Sequence, residues 1–478
     1  MTTTKFTLVL TMSALSLTSC EDPDDLFDPR NPDLTIDAVV GTPNSAGRLL
    51  LGCERQLAIA YNEILPITEI ASDNYVNTQT FFNTSLDDLE IDFRDADLND
   101  TQFALARLRA IANLGLETIG PGDENYTAAQ NASFLYFRGL SQLLLGSYFS
   151  TAPSESGGVL RTRNELYVAA VADFTDALAL NQDAPSLLLA RARANYQAGQ
   201  CDAASTDAQA LLDAAPEFVR YVMFDVVEGV PNTFQDAIAD RASFDDLQPL
   251  PRLDFLDPKY SGILDATNDF DIPYLKAEEA HFILAEAALS GGDVDEARTQ
   301  MLAALDLISV RPQATFDDSS EGRIERAPST RPDTATAIVA SAPGANPVEG
   351  LILDRGEGPV TVPSVSGTSV SPETINELDD VTSALEILYL MRQEVFIAEG
   401  RRFIDLGLTF TPSERELLLN DNVTTADVEP VIPDFIAANR ENLDAFTYDA
   451  AAGEVTIAVD FNSVIVENRE SEFVVPCF

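Results

Sequence analysis

The sequence predicts an all-α, mainly helical fold whose spine is a stack of helix pairs, and three observations predict it. Ala170, Phe174 and Leu178 recur as Ala204, Ala208 and Leu212, each pair 34 residues apart, which is the tetratricopeptide period. Ala192 and Gly199 precede the second set and Pro216 follows it; the same offsets return 93 residues later in Ala285, Gly292, Ala297 and Met301. Hydrophobic residues make up 45% of 478 positions, enough to bury the faces that single helix pairs leave open.

Each element follows in chain order. Lys5 leads an apolar stretch, Phe6 to Leu17, of the length of a secretory core and too short to span a bilayer. It ends in Leu17-Thr18-Ser19-Cys20, a bacterial lipobox pattern, so residues 1–19 read as a signal peptide and Cys20 as the lipidated first residue of the exported chain. Residues 20–40, with Glu21-Asp22-Pro23-Asp24-Asp25, read as an acidic extended tether. Residues 41–478 form the helical domain, with tetratricopeptide-like units at about 132–181, 185–215 and 273–308. In these units a small residue marks the contact of two helices, glycine the turn and proline the end. Gly139 and Gly146 mark the first, interrupted unit.

Two stretches, 217–271 and 312–383, are rich in Pro, Ser, Thr, Gly and Asp and far longer than ordinary helix connections. Leu388, Met391, Val395 and Ala398 place a C-terminal helix at about 384–406, and Glu454 to Asp460 alternates as a short strand.

The formal charge of −49 repels nucleic acid and anionic headgroups, which argues against both as partners. Lysine occurs only at Lys5, Lys259 and Lys276. A high-salt habitat is the simplest explanation, because molar salt shortens the screening length to about 3 Å and quenches self-repulsion. Without Cys20, the remaining Cys53, Cys201 and Cys477 allow at most one disulfide and lack metal-ligand spacing.

Catalytic chemistry is hard to assemble here. His281 is the sole histidine, set among helical apolar neighbours where it reads as a packing residue, so the usual triads and histidine metal sites are absent. There is no phosphate loop, no Gly-x-Ser-x-Gly elbow and no EF-hand pattern. The reading is a binding protein without enzyme activity, cofactor or metal, although 78 acidic residues leave a carboxylate pair for glycoside hydrolysis open.

Four features together resemble the SusD/RagB family across nearly the whole exported chain. They are the lipobox; Pro273-Tyr274-Leu275-Lys276-Ala277-Glu278-Glu279-Ala280 running through Ala285 to Gly292-Asp293 and Ala297; Asp257-Pro258-Lys259-Tyr260; and the run Arg392 to Leu406 with its Arg-x-Glu, Glu-Gly-x-Arg and Asp-Leu pattern. Within that run, Glu399 with Arg402 and Arg401 with Asp405 have helical spacing, which predicts intrahelical ion pairs rather than ligand contacts.

The resemblance implies a lipid-anchored, surface-exposed outer-membrane protein that catches oligosaccharide or peptide solutes for a SusC-like TonB-dependent barrel transporter. It also implies a ligand face in the region after the first helix, where Asp73, Asn74, Tyr75, Asn77, Phe81 and Phe82 combine amides with rings. A polar connection with the rings tucked inward is the alternative. The chain has no tryptophan, the ring on which sugar-binding relatives commonly stack pyranose faces, which tilts the expected ligand toward peptides or other oligomers. A periplasm-facing tetratricopeptide scaffold lipoprotein is the other functional reading.

Overall fold

Several helices in this chain begin where a side chain takes up amide hydrogens that a first turn leaves unbonded. The computed structural model describes residues 40–77, 83–180, 184–239, 247–257, 259, 270–317, 331–355 and 358–478. The lipobox with Cys20, and the tether through residue 39, lie outside them.

Helix α1 (Ser45–Ile70) starts under a distant cap, Asp123, whose carboxylate accepts from the amides of Asn44 and Ala46 at 3.1 and 3.0 Å. Strand β1 (Tyr75–Asn77) and helix α2 (Ala96–Leu114) follow, the latter capped by Asp95. Helices α3 (Ala128–Tyr148) and α4 (Arg163–Ala179) each open with a reciprocal capping box, Thr127 with Gln130 and Thr162 with Glu165. Helices α5 (Ala184–Gln197) and α6 (Cys201–Ala214) complete this run. After β2 (Val219–Val222), β3 (Leu247–Pro249) and β4 (Ile272–Lys276), the helices resume as α7 (Ala277–Ser290) and α8 (Val294–Ser309). The last part holds α9 (Val381–Val395), α10 (Arg401–Asp405) and α11 (Phe461–Glu467).

The repeat residues lie at the helix contacts. Ala170 and Phe174 on α4, Ala204 and Ala208 on α6, and Ala297 and Met301 on α8 are fully buried, and α3 packs on α4, α5 on α6, α6 on α7 and α7 on α8. Small side chains let these backbones approach closely. Gly292 makes the last turn with φ +78°, and Asp293 then caps α8 by accepting from the Glu296 amide at 3.0 Å. Gly146, at the turn position of the first unit, instead lies inside α3. A Cβ there would sit 2.8 Å from the Tyr167 ring, so the bare Cα serves a helix contact, and the turn is deferred to the hairpin of Thr151–Pro153 with Leu160–Thr162.

The two long irregular stretches are tied into the frame by short ladders. Strand β2 pairs antiparallel with β4, and β3 with β1, setting Tyr75 opposite Pro249. Gln313–Asp317 pairs with Pro359–Pro363, and Ile338–Ala340 runs parallel to Glu454–Ile457. That last strand is shorter than the alternation predicts, because Asp460 leaves it to cap α11.

Cys201 is bonded to Cys477, tying α6 to the chain's end. Cys53 stays a buried thiol, pushed up to about 12 by burial and then by Glu54. His281 is half-buried between α7 and α8, with Nδ1 2.9 Å from Gln300 Oε1, and burial lowers its pKa. Among the described residues no helix is long and apolar enough to cross a membrane.

Candidate functional site

The segment expected to face ligand is instead a buried joint. Asp73, Asn74 and Tyr75 are 2%, 0% and 0% exposed, which corrects their assignment as ligand contacts. Buried polar groups persist only when partnered, and each of these is. Asp73 accepts from Arg402 and from Gln393 Nε2 at 3.0 Å; Asn74 donates to Glu69 at 2.8 Å; the Tyr75 hydroxyl donates to Asp257 at 3.3 Å. Asn77 is half-buried at the end of β1. Phe81 and Phe82 lie outside the described residues.

The charged run near the C-terminus supplies the other half of the joint, and its pairs are not the predicted intrahelical ones. Helix α9 stops at Val395, Ala398 and Gly400 take φ +60° and +69°, and α10 starts at Arg401, so the expected helix over 384–406 is broken and its charges point to separate partners. Arg392 pairs with Asp405 at 2.6 Å, Arg401 with Glu279 at 2.9 Å, and Arg402 with Asp73. Glu399 accepts from both buried lysines, Lys259 and Lys276, the latter at 2.6 Å, while both ammonium groups also donate to the Val395 carbonyl. Burial holds Lys276 down at about 7 despite Glu399. Burial would raise Glu279, but Arg193 and Arg401 outweigh it and hold this carboxylate at about 2. Such pairs cost desolvation and reward one arrangement, so they fix the frame rather than offer chemistry.

A cleft of about 600 Å³ opens elsewhere, between the start of α4, the end of α5 and the chain's last eight residues. Arg163, Asn164, Gln197, Glu472, Phe473 and Phe478 line it. Arg163 is held in place, its Nε donating to the Gly146 carbonyl at 2.9 Å and a terminal nitrogen to the Tyr167 hydroxyl at 3.2 Å. The tail wall is fixed by the disulfide and by the Cys477 amide, which donates to Glu286 at 3.1 Å. Two smaller clefts, about 220 Å³ beside Arg220 and about 210 Å³ beside Arg252, have charged groups already spent internally. Arg220 lies on the Tyr136 ring at 4.4 Å, and Arg252 is 3.2 Å from Asp460. No group of metal-ligating side chains occurs among the described residues.

No family model matches the sequence, and no curated protein matches it. Solved structures do. A SusD superfamily protein from Bacteroides fragilis is 15% identical with a TM-score of 0.51, covering 80% of this chain and 99% of that one. A SusD superfamily protein from Parabacteroides distasonis is 12% identical at 0.52, covering 81% and 91%. The chain has the SusD fold. A candidate sugar-binding protein from Bacteroides vulgatus shares it, at 14% identity and 0.51, covering 80% and 97%.

Within this SusD fold the most recognisable sequence motifs are its internal ties: the Arg392 to Asp405 run closes on Asp73, Glu279, Lys259 and Lys276. The cleft residues carry no such signal. Asn164, Gln197 and the tail come from three separated stretches, and only Cys201 and Cys477, as two of three leftover cysteines, hinted that the tail is fastened near α6.

Proposed function

We propose that the protein is an outer-membrane lipoprotein, anchored through Cys20 and exposed at the cell surface, that binds oligomeric nutrient solutes and hands them to a SusC-like TonB-dependent barrel. The observation that carries this reading is the SusD fold over four-fifths of the chain, shared with a candidate sugar-binding protein, downstream of a lipobox. Oligosaccharides are the favoured solutes. The role is binding rather than catalysis: Lys276 and Glu279, both strongly shifted by burial and pairing, are sealed within the joint and away from the cleft. Affinity purification from detergent-extracted membranes, paired with protease shaving of intact cells, tests this. A co-purifying barrel and a protease-accessible chain support it. A shaving-resistant chain that brings down periplasmic envelope proteins and no barrel overturns it in favour of a scaffold.

A further inference from the structure

We propose that the cleft between α4, α5 and the disulfide-fastened tail is a binding site for a neutral oligosaccharide. Its volume, about 600 Å³, falls in the range of small-ligand sites, roughly 300 to 1,000 Å³. What separates it from the two smaller clefts is the state of its polar groups. The side chains of Asn164 and Gln197 make no hydrogen bond within the described residues, whereas Arg220 and Arg252 are engaged by neighbours. An amide both donates and accepts, as a sugar hydroxyl does, so two free amides across a cleft suit a polyhydroxylated chain. Phe473 and Phe478 add aromatic surface for the C–H faces of the sugar rings, with the Arg469 guanidinium over the Phe478 ring at 5.9 Å.

The charge pattern selects a neutral ligand. The cleft has one lining cation, Arg163, already donating to Gly146 and Tyr167, and one lining anion, Glu472, in a protein of formal charge −49. The two lining charges leave the cleft without net formal charge, and the acidity of the whole protein opposes a phosphate or carboxylate ligand. The wall carrying both rings is the last stretch of chain, held against α6 by Cys201–Cys477, so the disulfide positions half of the site.

The saccharide class rests on the proposed function, and the test separates the two. Wild-type protein, Asn164→Ala/Gln197→Ala and Phe478→Ala are titrated calorimetrically with maltohexaose, cellohexaose, laminarihexaose, xylohexaose and mannohexaose, and melted in parallel. At least one sugar should bind the wild type, with affinity at least tenfold weaker in both variants and melting unchanged. Wild-type binding that the variants leave intact overturns the cleft and spares the solute-binding role. No binding of any hexaose at millimolar concentration overturns the saccharide site, and a barrel co-purifying with the same protein would still uphold the uptake role. Selective binding of neutral peptides in this cleft would also overturn it.

Discussion

Asp73 and Arg402 are 329 residues apart in sequence and meet in a two-point ion pair, with Asp73 Oδ2 accepting from a terminal guanidinium nitrogen at 2.8 Å. The pair joins the end of α1 to α10, and Arg402 extends it by donating to Asn462 on α11 at 2.8 Å. Asp73→Ala would leave a buried guanidinium without its carboxylate, a change that costs about 3 to 5 kcal/mol. Chemical denaturation should show a loss of this size, and a loss under about 1 kcal/mol would return Asp73 to the surface.

Glu69 makes the joint sensitive to pH. Burial raises its carboxyl from the ordinary 4.5 to about 7, against the opposing hydrogen bonds from Asn74 and Gly400. Between pH 4.5 and 7 the folded state therefore keeps a proton that the unfolded chain has released, so this group's contribution is full below 4.5 and declines as pH rises. The unfolding free energy of wild type minus that of Glu69→Gln should fall across this window by up to about 1.4 kcal/mol per pH unit. A flat difference would contradict the assignment.

Gly292 tests the turn between α7 and α8. No atom lies within 4 Å of where its Cβ would be, so only the left-handed backbone, φ +78°, opposes a side chain. Gly292→Val should cost about 1 to 3 kcal/mol, whereas Gly292→Asn, which tolerates this region, should cost less. Equal melting temperatures for the two variants would count against backbone strain as the cause.

Anchoring is tested at Cys20. Cys20→Ala should move the protein from the membrane pellet to the soluble fraction with its melting curve intact. Retention in the pellet through a high-salt wash would exclude lipid as the anchor.

Charge is tested with salt. At about 0.01 M the screening length is roughly 30 Å, so the acidic groups of a chain of formal charge −49 repel one another well beyond contact distance. Its melting temperature should climb steadily with potassium chloride toward molar concentrations. Indifference to salt would remove the halophilic explanation.

The helix pairs were legible in the sequence because Ala170, Ala204 and Ala297 sit at buried contacts within units that keep the same internal offsets. The joint was legible only in part. The run from Arg392 to Asp405 announced paired charges, but the broken helix at Ala398 and Gly400 sends each to a partner that spacing along one helix cannot indicate. The polar composition of Ser72 to Asn77 suggested exposure for the same reason: Asp73 and Asn74 are buried because Arg402, Gln393 and Glu69 come to them from elsewhere. The cleft had no local pattern at all, being made by the meeting of α4, α5 and the tail.

The placement of the two lysines at Glu399 has a chemical consequence at the surface. Lys259 and Lys276 are 1% and 0% exposed, so the described residues offer no lysine amine at the surface. Reducing sugars condense with free amines, and a protein that works among them without surface lysines escapes glycation there. Lysine-directed reagents and lysine-cleaving proteases would therefore reach Lys259 and Lys276 only once the interior opens.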